Sequence, residues 1–190
     1  MRSKRPDLLR VDANVRAIAD SFGMPASKED LLGIVNGINL RLFLCDVDSG
    51  TLKSLYLRRP AGEILQSGRM LGGVSRQGGS LVGGCMDQVV VLMAVLRAKG
   101  FVPGKNLFFI RVKSEKGPGH SLAEVKLENG ARYFVDPRNE RVYRNLKEFT
   151  DVWFKAIKAK KGGIVLRGAT PRGAGVRTLE DAFHPGALTP

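Results

Sequence analysis

Eight consecutive apolar residues, Val89 to Leu96, constrain this fold more than any other stretch. A helix that is apolar on every side cannot lie at a surface, so the rest of the chain has to close around it. Eight residues also fall far short of the ~20 that cross a bilayer. The pattern therefore predicts a buried central helix over Cys85 to Lys99, stopped by Gly100 after the charge returns at Arg97. At 190 residues with 43% hydrophobic side chains, the chain is long enough to supply that enclosure and too apolar for wholesale disorder.

The enclosing elements are readable from periodicity. Leu8, Val11, Val15, Ile18, Ala19 and Phe22 recur at helical spacing and stop at Gly23. Ser27 and Asp30 resemble a capping box ahead of Leu31, Leu32, Ile34, Val35 and Ile38. Leu40 to Cys45 reads as a short strand, with Cys45 as a buried structural thiol. A short helix is expected from Ala61 to Gln66, since Pro60 suits a helix start. After the central helix come three strands, Leu107 to Lys113, His120 to Leu127 and Ala131 to Asp136, the last ended by Pro137. Leu146, Phe149, Val152, Trp153, Ala156 and Ile157 mark one more amphipathic helix, with Trp153 in the core. Residues 1–166 read as a single domain, and the Gly-, Pro- and Arg-rich segment 167–190 as a tail.

Between Gly68 and Gly84 there are seven glycines and no acidic residue. No Gly-Lys-Ser/Thr sequence closes it, so a phosphate-binding loop is excluded. Glycines let backbone approach a ligand closely, and this segment delivers the chain to Cys85. It is expected to form a mobile loop walling a substrate cleft, with Gly78, Gly79, Ser80, Gly83 and Gly84 nearest the thiol.

The net charge is +13, and between Arg138 and Arg177 eleven basic residues face three acidic ones. Such a field suits polyanions or acidic proteins. Without an aromatic-interleaved nucleic-acid motif, it reads first as a solvated surface. Two cysteines and two histidines lack zinc-ligand spacing, and no acidic cluster resembles a calcium site, so neither metal nor cofactor is expected. Met1 to Asp7 lacks the apolar segment of a secretory signal, which makes a cytoplasmic chain the expectation.

Three residues carry the chemistry. Cys85 opens the central helix, where unpaired N–H groups and the helix dipole favour thiolate. His120 could take the thiol proton, and Asp136 could orient the imidazole. Each alone has a simpler reading: a core thiol, a strand-end histidine and a strand-closing aspartate. Together they impose a geometric condition, because His120 and Asp136 must share one face of adjacent strands. A two-residue Asn129-Gly130 turn would point Asp136 the wrong way. A three-residue loop with Gly130 left-handed pairs Leu127 with Ala131 and makes Asp136 the diagonal neighbour of His120. The same register gathers Ala123, Val125, Leu127, Ala131, Tyr133 and Val135 on the opposite face.

Gly84-Cys85-Met86-Asp87, Leu96 to Pro103, His120 to Val125 and Tyr133 to Pro137 together resemble the transglutaminase-like superfamily of papain-related Cys-His-Asp enzymes. The resemblance covers roughly residues 60–140, in the family's order. It implies an α+β papain/transglutaminase-like core, with the nucleophile-bearing central helix packed on an antiparallel sheet and flanked by N-terminal helices and a C-terminal helix. It further implies Cys85 as nucleophile, His120 as general base and acid, Asp136 as the orienting carboxylate and a structural Glu124. The aromatic residue that often follows the family's histidine is replaced here by Ser121-Leu122. The oxyanion-hole donor is unassigned by the resemblance, with Gln77, Ser80 and the Cys85 N–H as candidates. The function implied is acyl transfer from an amide through a thioester, to water in a peptidase or amidase. The alternatives are an amine acceptor, as in protein-glutamine transglutamination, or a basic module binding nucleic acid or an acidic partner. The expected substrate is a protein or peptide, and no membrane partner is implied.

Overall fold

The buried helix is α4, Cys85–Ala98, and Val89 to Leu96 are all sealed from solvent in it. The computed structural model describes residues 6–48, 51, 54–55, 58–74, 81–114, 119–157, 163–173 and 175–178, with backbone alone at 73–74, 81–83 and 176–178. Around α4 stand α1 (Ala13–Asp20), α2 (Lys28–Asn39) and α3 (Ala61–Ser67). On its remaining side lies a six-stranded sheet. The fold is thus mixed α+β, and one core cluster joins α1 to α4 with the inner face of that sheet.

The large sheet runs β7 (Arg141–Tyr143), β6 (Arg132–Asp136), β5 (Gly119–Lys126), β4 (Leu107–Ser114), β8 (Gly163–Gly168), β9 (Gly175–Thr178), all neighbours antiparallel. Strand alternation gives it two faces. Leu107, Phe109, Ala123, Val125 and Val135 meet α4, while Ile110, Val112, Leu122, Phe134 and Val165 meet α5 (Leu146–Ala156) through Phe149, Trp153 and Phe154. Trp153 is in this second core, as its helical stripe requires.

The β5–β6 turn takes the bulged form. Gly130 has φ 83°, Leu127 N donates to Ala131 O at 2.8 Å, and Ala123 pairs with Val135. Carried on, this register sets Leu122 opposite Asp136 and makes His120 and Asp136 diagonal neighbours on one face.

Local chemistry shifts three expected boundaries. The first helix begins only at Ala13, because Asp12 caps it by accepting from Val15 N at 3.1 Å. Leu8 and Leu9 stay buried in the preceding turn. The Ser27–Asp30 capping box forms in both directions, and α2 starts there as anticipated. The glycine-rich segment is not a loop throughout its length. Arg69–Val74 and Leu81–Gly83 are strands β2 and β3, which join β1 (Phe43–Asp46) in a second sheet, β1 parallel to β2 and β2 antiparallel to β3. Glycine's missing side chain does not prevent ladder pairing, and Gly72 pairs with Gly83. Cys45, on β1, is half-buried rather than enclosed. Within segment 167–190, Arg167 belongs to β8, and residues 175–178 form the edge strand β9. No helix among the described residues is long and apolar enough to cross a membrane.

Candidate active site

Gly84 sets the entry to α4. Its φ of 80° is left-handed, and a Cβ there would come within 2.9 Å of the Leu44 side chain. The turn is pinned by Gly84 N donating to Leu71 O at 3.0 Å. Asp87 ties the first helical turn to β2, accepting from Leu71 N at 2.8 Å and pairing with Arg59 at 3.1 Å. Among the described residues no side chain caps α4, so none of these competes for its first N–H groups.

His120 is the second residue of β5 and faces α5. Its ring stacks on Phe149 at 5.7 Å between centroids and lies 6.3 Å from Trp153. The Asp136 carboxylate, wholly buried, accepts from His120 Nε2 at 2.8 Å. Asp136 also accepts from Arg138 N at 3.1 Å, Asn139 N at 3.3 Å and Asn139 Nδ2 at 2.7 Å. With Nε2 committed to Asp136, Nδ1 is the ring nitrogen left for the thiol.

Sulfur and imidazole come from opposite faces of the sheet, since α4 covers the Ala123 face and His120 lies on the other. They meet because Cys85 opens its helix and His120 nearly opens its strand, so both project from element ends. The Cys85 thiol, half-buried, lies close enough to the His120 ring for each to shift the other's proton affinity. Burial pushes this thiol up. The His120 hydrogen bond and charge, aided by the Ser121 N–H and hydroxyl, outweigh it and hold the thiol below its ordinary range. Burial likewise pushes His120 down, but hydrogen bonds to Asp136 and Cys85 and their negative charges raise it to about 9. Both shifts act in the direction of a thiolate–imidazolium pair.

Cys85, His120 and Asp136 are therefore brought together. Gly83 closes β3 and Gly84 starts the helix turn, so these two are strand and cap rather than open loop, contrary to expectation. Gln77, Gly78, Gly79 and Ser80 lie outside the described residues, as does His184. Glu124 holds a structural position: almost fully buried, it accepts from Arg167 at 2.8 and 3.2 Å and lies 3.4 Å from Arg132.

Sequence reasoning missed several contributors. Asn139 grips Asp136 through a turn that Asp136-Pro137 signals but does not specify. Gln88, one turn beyond Cys85, donates to Asn39 Oδ1 at 2.8 Å and Pro137 O at 3.4 Å, and Asn39 donates to Pro137 O at 2.8 Å. These bonds clamp the turn after Asp136 against α2 and α4. Gln88 shows in the sequence as an amide beside the apolar run, but its partners, Asn39 and Pro137, are 49 residues away on either side. Ser121 has a hydroxyl that is sealed from solvent and faces the sulfur without completing a hydrogen bond of normal geometry.

A cavity of about 590 Å³ lined by Asp7, Leu9, Arg97, Phe101 and Thr170 lies at the other end of α4. That is ~20 Å from Cys85 along a helix of this length, too far to take part in its chemistry. No protein-family model matches the chain, and no curated protein matches it.

Proposed function

We propose that this protein is a cysteine-nucleophile acyl-transfer enzyme of transglutaminase-like, papain-related architecture, hydrolysing amide bonds in peptides or proteins. The observation that carries the reading is an imidazole with the Asp136 carboxylate 2.8 Å from its Nε2 and the Cys85 thiol near enough to interact with it electrostatically. A buried carboxylate fixes the tautomer and supports positive charge on the ring, while the ring holds the thiol as thiolate. Each group does what the others need.

In the proposed cycle, Cys85 Sγ attacks the amide carbonyl carbon and forms a C–S bond, placing negative charge on the carbonyl oxygen. Backbone N–H groups at the start of α4, with Cys85 N first, are the proposed donors to that oxygen. The imidazolium gives its proton to the amine as the C–N bond breaks, leaving a thioester. Neutral His120 then takes a proton from water, whose oxygen attacks the thioester. The acid departs, the C–S bond breaks, and thiolate and imidazolium are restored. An amine in place of water gives transamidation by the same steps.

The test is intact-mass analysis of the full chain after exposure to electrophilic and acyl-amide probes. A covalent adduct at Cys85, absent in Cys85→Ser and slowed in His120→Ala, supports the reading. Slow, equal labelling of Cys45 and Cys85 overturns it in favour of a basic binding module.

A further inference from the structure

Gln88 is the one polar side chain in the sealed stretch Gln88 to Leu96 of α4, and it is 2% exposed. Burying an amide costs free energy that its hydrogen bonds have to return. Here they return it incompletely. Nε2 donates to Asn39 Oδ1 at 2.8 Å and more weakly to Pro137 O at 3.4 Å, while Oε1 is sealed without a partner among the described residues. A leucine in this place would extend the apolar run without an orphaned acceptor. Stability alone does not call for an amide here, and what the amide grips supplies another reason.

Its partners converge on the turn after Asp136. Asn39, the last residue of α2, donates to Pro137 O at 2.8 Å and to Glu140 Oε1 at 3.2 Å. Glu140 is held at φ 51°, a left-handed conformation that costs energy in a residue with a side chain. The turn is therefore held in a shape it would relax from. The sheet already aligns imidazole with carboxylate, because His120 and Asp136 stand on neighbouring strands. It does not align sulfur with imidazole, since Cys85 belongs to α4. Gln88 follows Cys85 by one helical turn and ties that helix to the end of β6.

We infer that Gln88, through Asn39 and Pro137, is a positioning residue that sets the distance between the Cys85 sulfur and the His120 ring. The inference rests on the proposed thiol chemistry and deepens it: an amide tether, not helix packing alone, keeps the thiol beside its proton acceptor. Without the tether, the start of α4 is free to shift against the end of β6. The sulfur then moves away from the ring, and each group loses part of the other's charge.

Iodoacetamide alkylation of the full chain as a function of pH, with Cys85 and Cys45 separated by peptide mapping, tests this. In Gln88→Leu the midpoint of Cys85 alkylation is expected to move up, because a sulfur farther from the imidazolium holds its proton more tightly. Below that midpoint the rate should fall about fivefold, the factor one neutral hydrogen bond carries. Denaturant unfolding of the same variant should show stability kept or raised, the reverse of losing a purely structural bond. Asn39→Ala, at a half-buried residue, cuts the tether from its other side and is read alone if Gln88→Leu misfolds. It should move the midpoint in the same direction, and the double variant should go little further than either change alone, because both act along one path. A rapidly labelled Cys85 whose midpoint is unmoved in the folded variants overturns the inference and leaves the thiol chemistry standing. Shifts that add in full in the double variant overturn it too, since independent packing defects behave that way. Labelling of Cys85 no faster than Cys45 in the unaltered chain overturns the thiol chemistry, and the tether's role with it.

Discussion

Asp136 and Glu124 are both buried carboxylates on the α5 face of the large sheet, 0% and 1% exposed, yet their partners give them different capabilities. Glu124 is gripped by Arg167 at 2.8 and 3.2 Å, and the same guanidinium sits 3.5 Å over the Phe108 ring. Arginine keeps its proton in proteins, so this pair joins β5 to β8 and transfers nothing. Asp136 is paired with an imidazole, which can gain and lose a proton, and that imidazole interacts with a nearby thiol. Buried charge alone does not mark a site. What distinguishes this one is a titratable partner with a second neighbour.

The largest expected effect separates the two pairs by activity. His120→Ala should slow amide turnover, and Cys85 alkylation at neutral pH, by ~10²–10⁴, the range for losing a general base. Arg167→Met should leave the preference for Cys85 over Cys45 intact in folded protein. If Arg167→Met slows alkylation as much as His120→Ala, the distinction between clamp and proton carrier is lost.

Stability should show the reverse. Arg167→Met strands Glu124 without its main partner and is expected to cost about 3–5 kcal/mol in denaturant unfolding, as broken buried pairs do. Adding Glu124→Gln should recover part of that loss.

The pH profile sharpens the contrast further. With His120 raised to about 9, turnover should fall as pH rises through that value, because the proton for the leaving amine is lost. The acid limb should lie below the ordinary thiol range, where the lowered Cys85 takes up its proton. Asp136→Asn removes the charge supporting the imidazolium, so the alkaline limb should move down toward 6.5, the ordinary histidine value. An alkaline limb unmoved in Asp136→Asn would mean that Asp136 is as inert as Glu124.

The smallest effect concerns the turn that sets the register. Gly130→Ala, at φ 83°, should destabilise by ~1 kcal/mol without altering labelling selectivity, provided the bulge survives. Loss of selectivity in a folded Gly130→Ala protein would show that register at this hairpin is only weakly held.

Much of this architecture was legible because it depends on local or periodic information. The apolar run made α4 internal, Ser27 and Asp30 located the start of α2, and Glu-Asn-Gly allowed the one loop length that puts His120 and Asp136 on a common face. The glycine-rich segment reads as a loop in sequence, since pairing of Gly72 with Gly83 depends on backbone that no side-chain pattern reports. The first helix is shorter than its apolar spacing suggests, because Leu8 and Val11 keep helical spacing while capping at Asp12 decides where the hydrogen bonds begin.

By itself, the sequence determined that the Val89–Leu96 helix is internal and which face of β5 and β6 each residue occupies, because apolar spacing and turn length act over a few neighbouring residues. Only the tertiary structure decided that the thiol of α4 approaches an imidazole on the far face of the sheet, and that Asn139 and Gln88 hold Asp136 and the turn after it. Such contacts join segments tens of residues apart, and their geometry follows from how helix ends and strand ends close on one another in space.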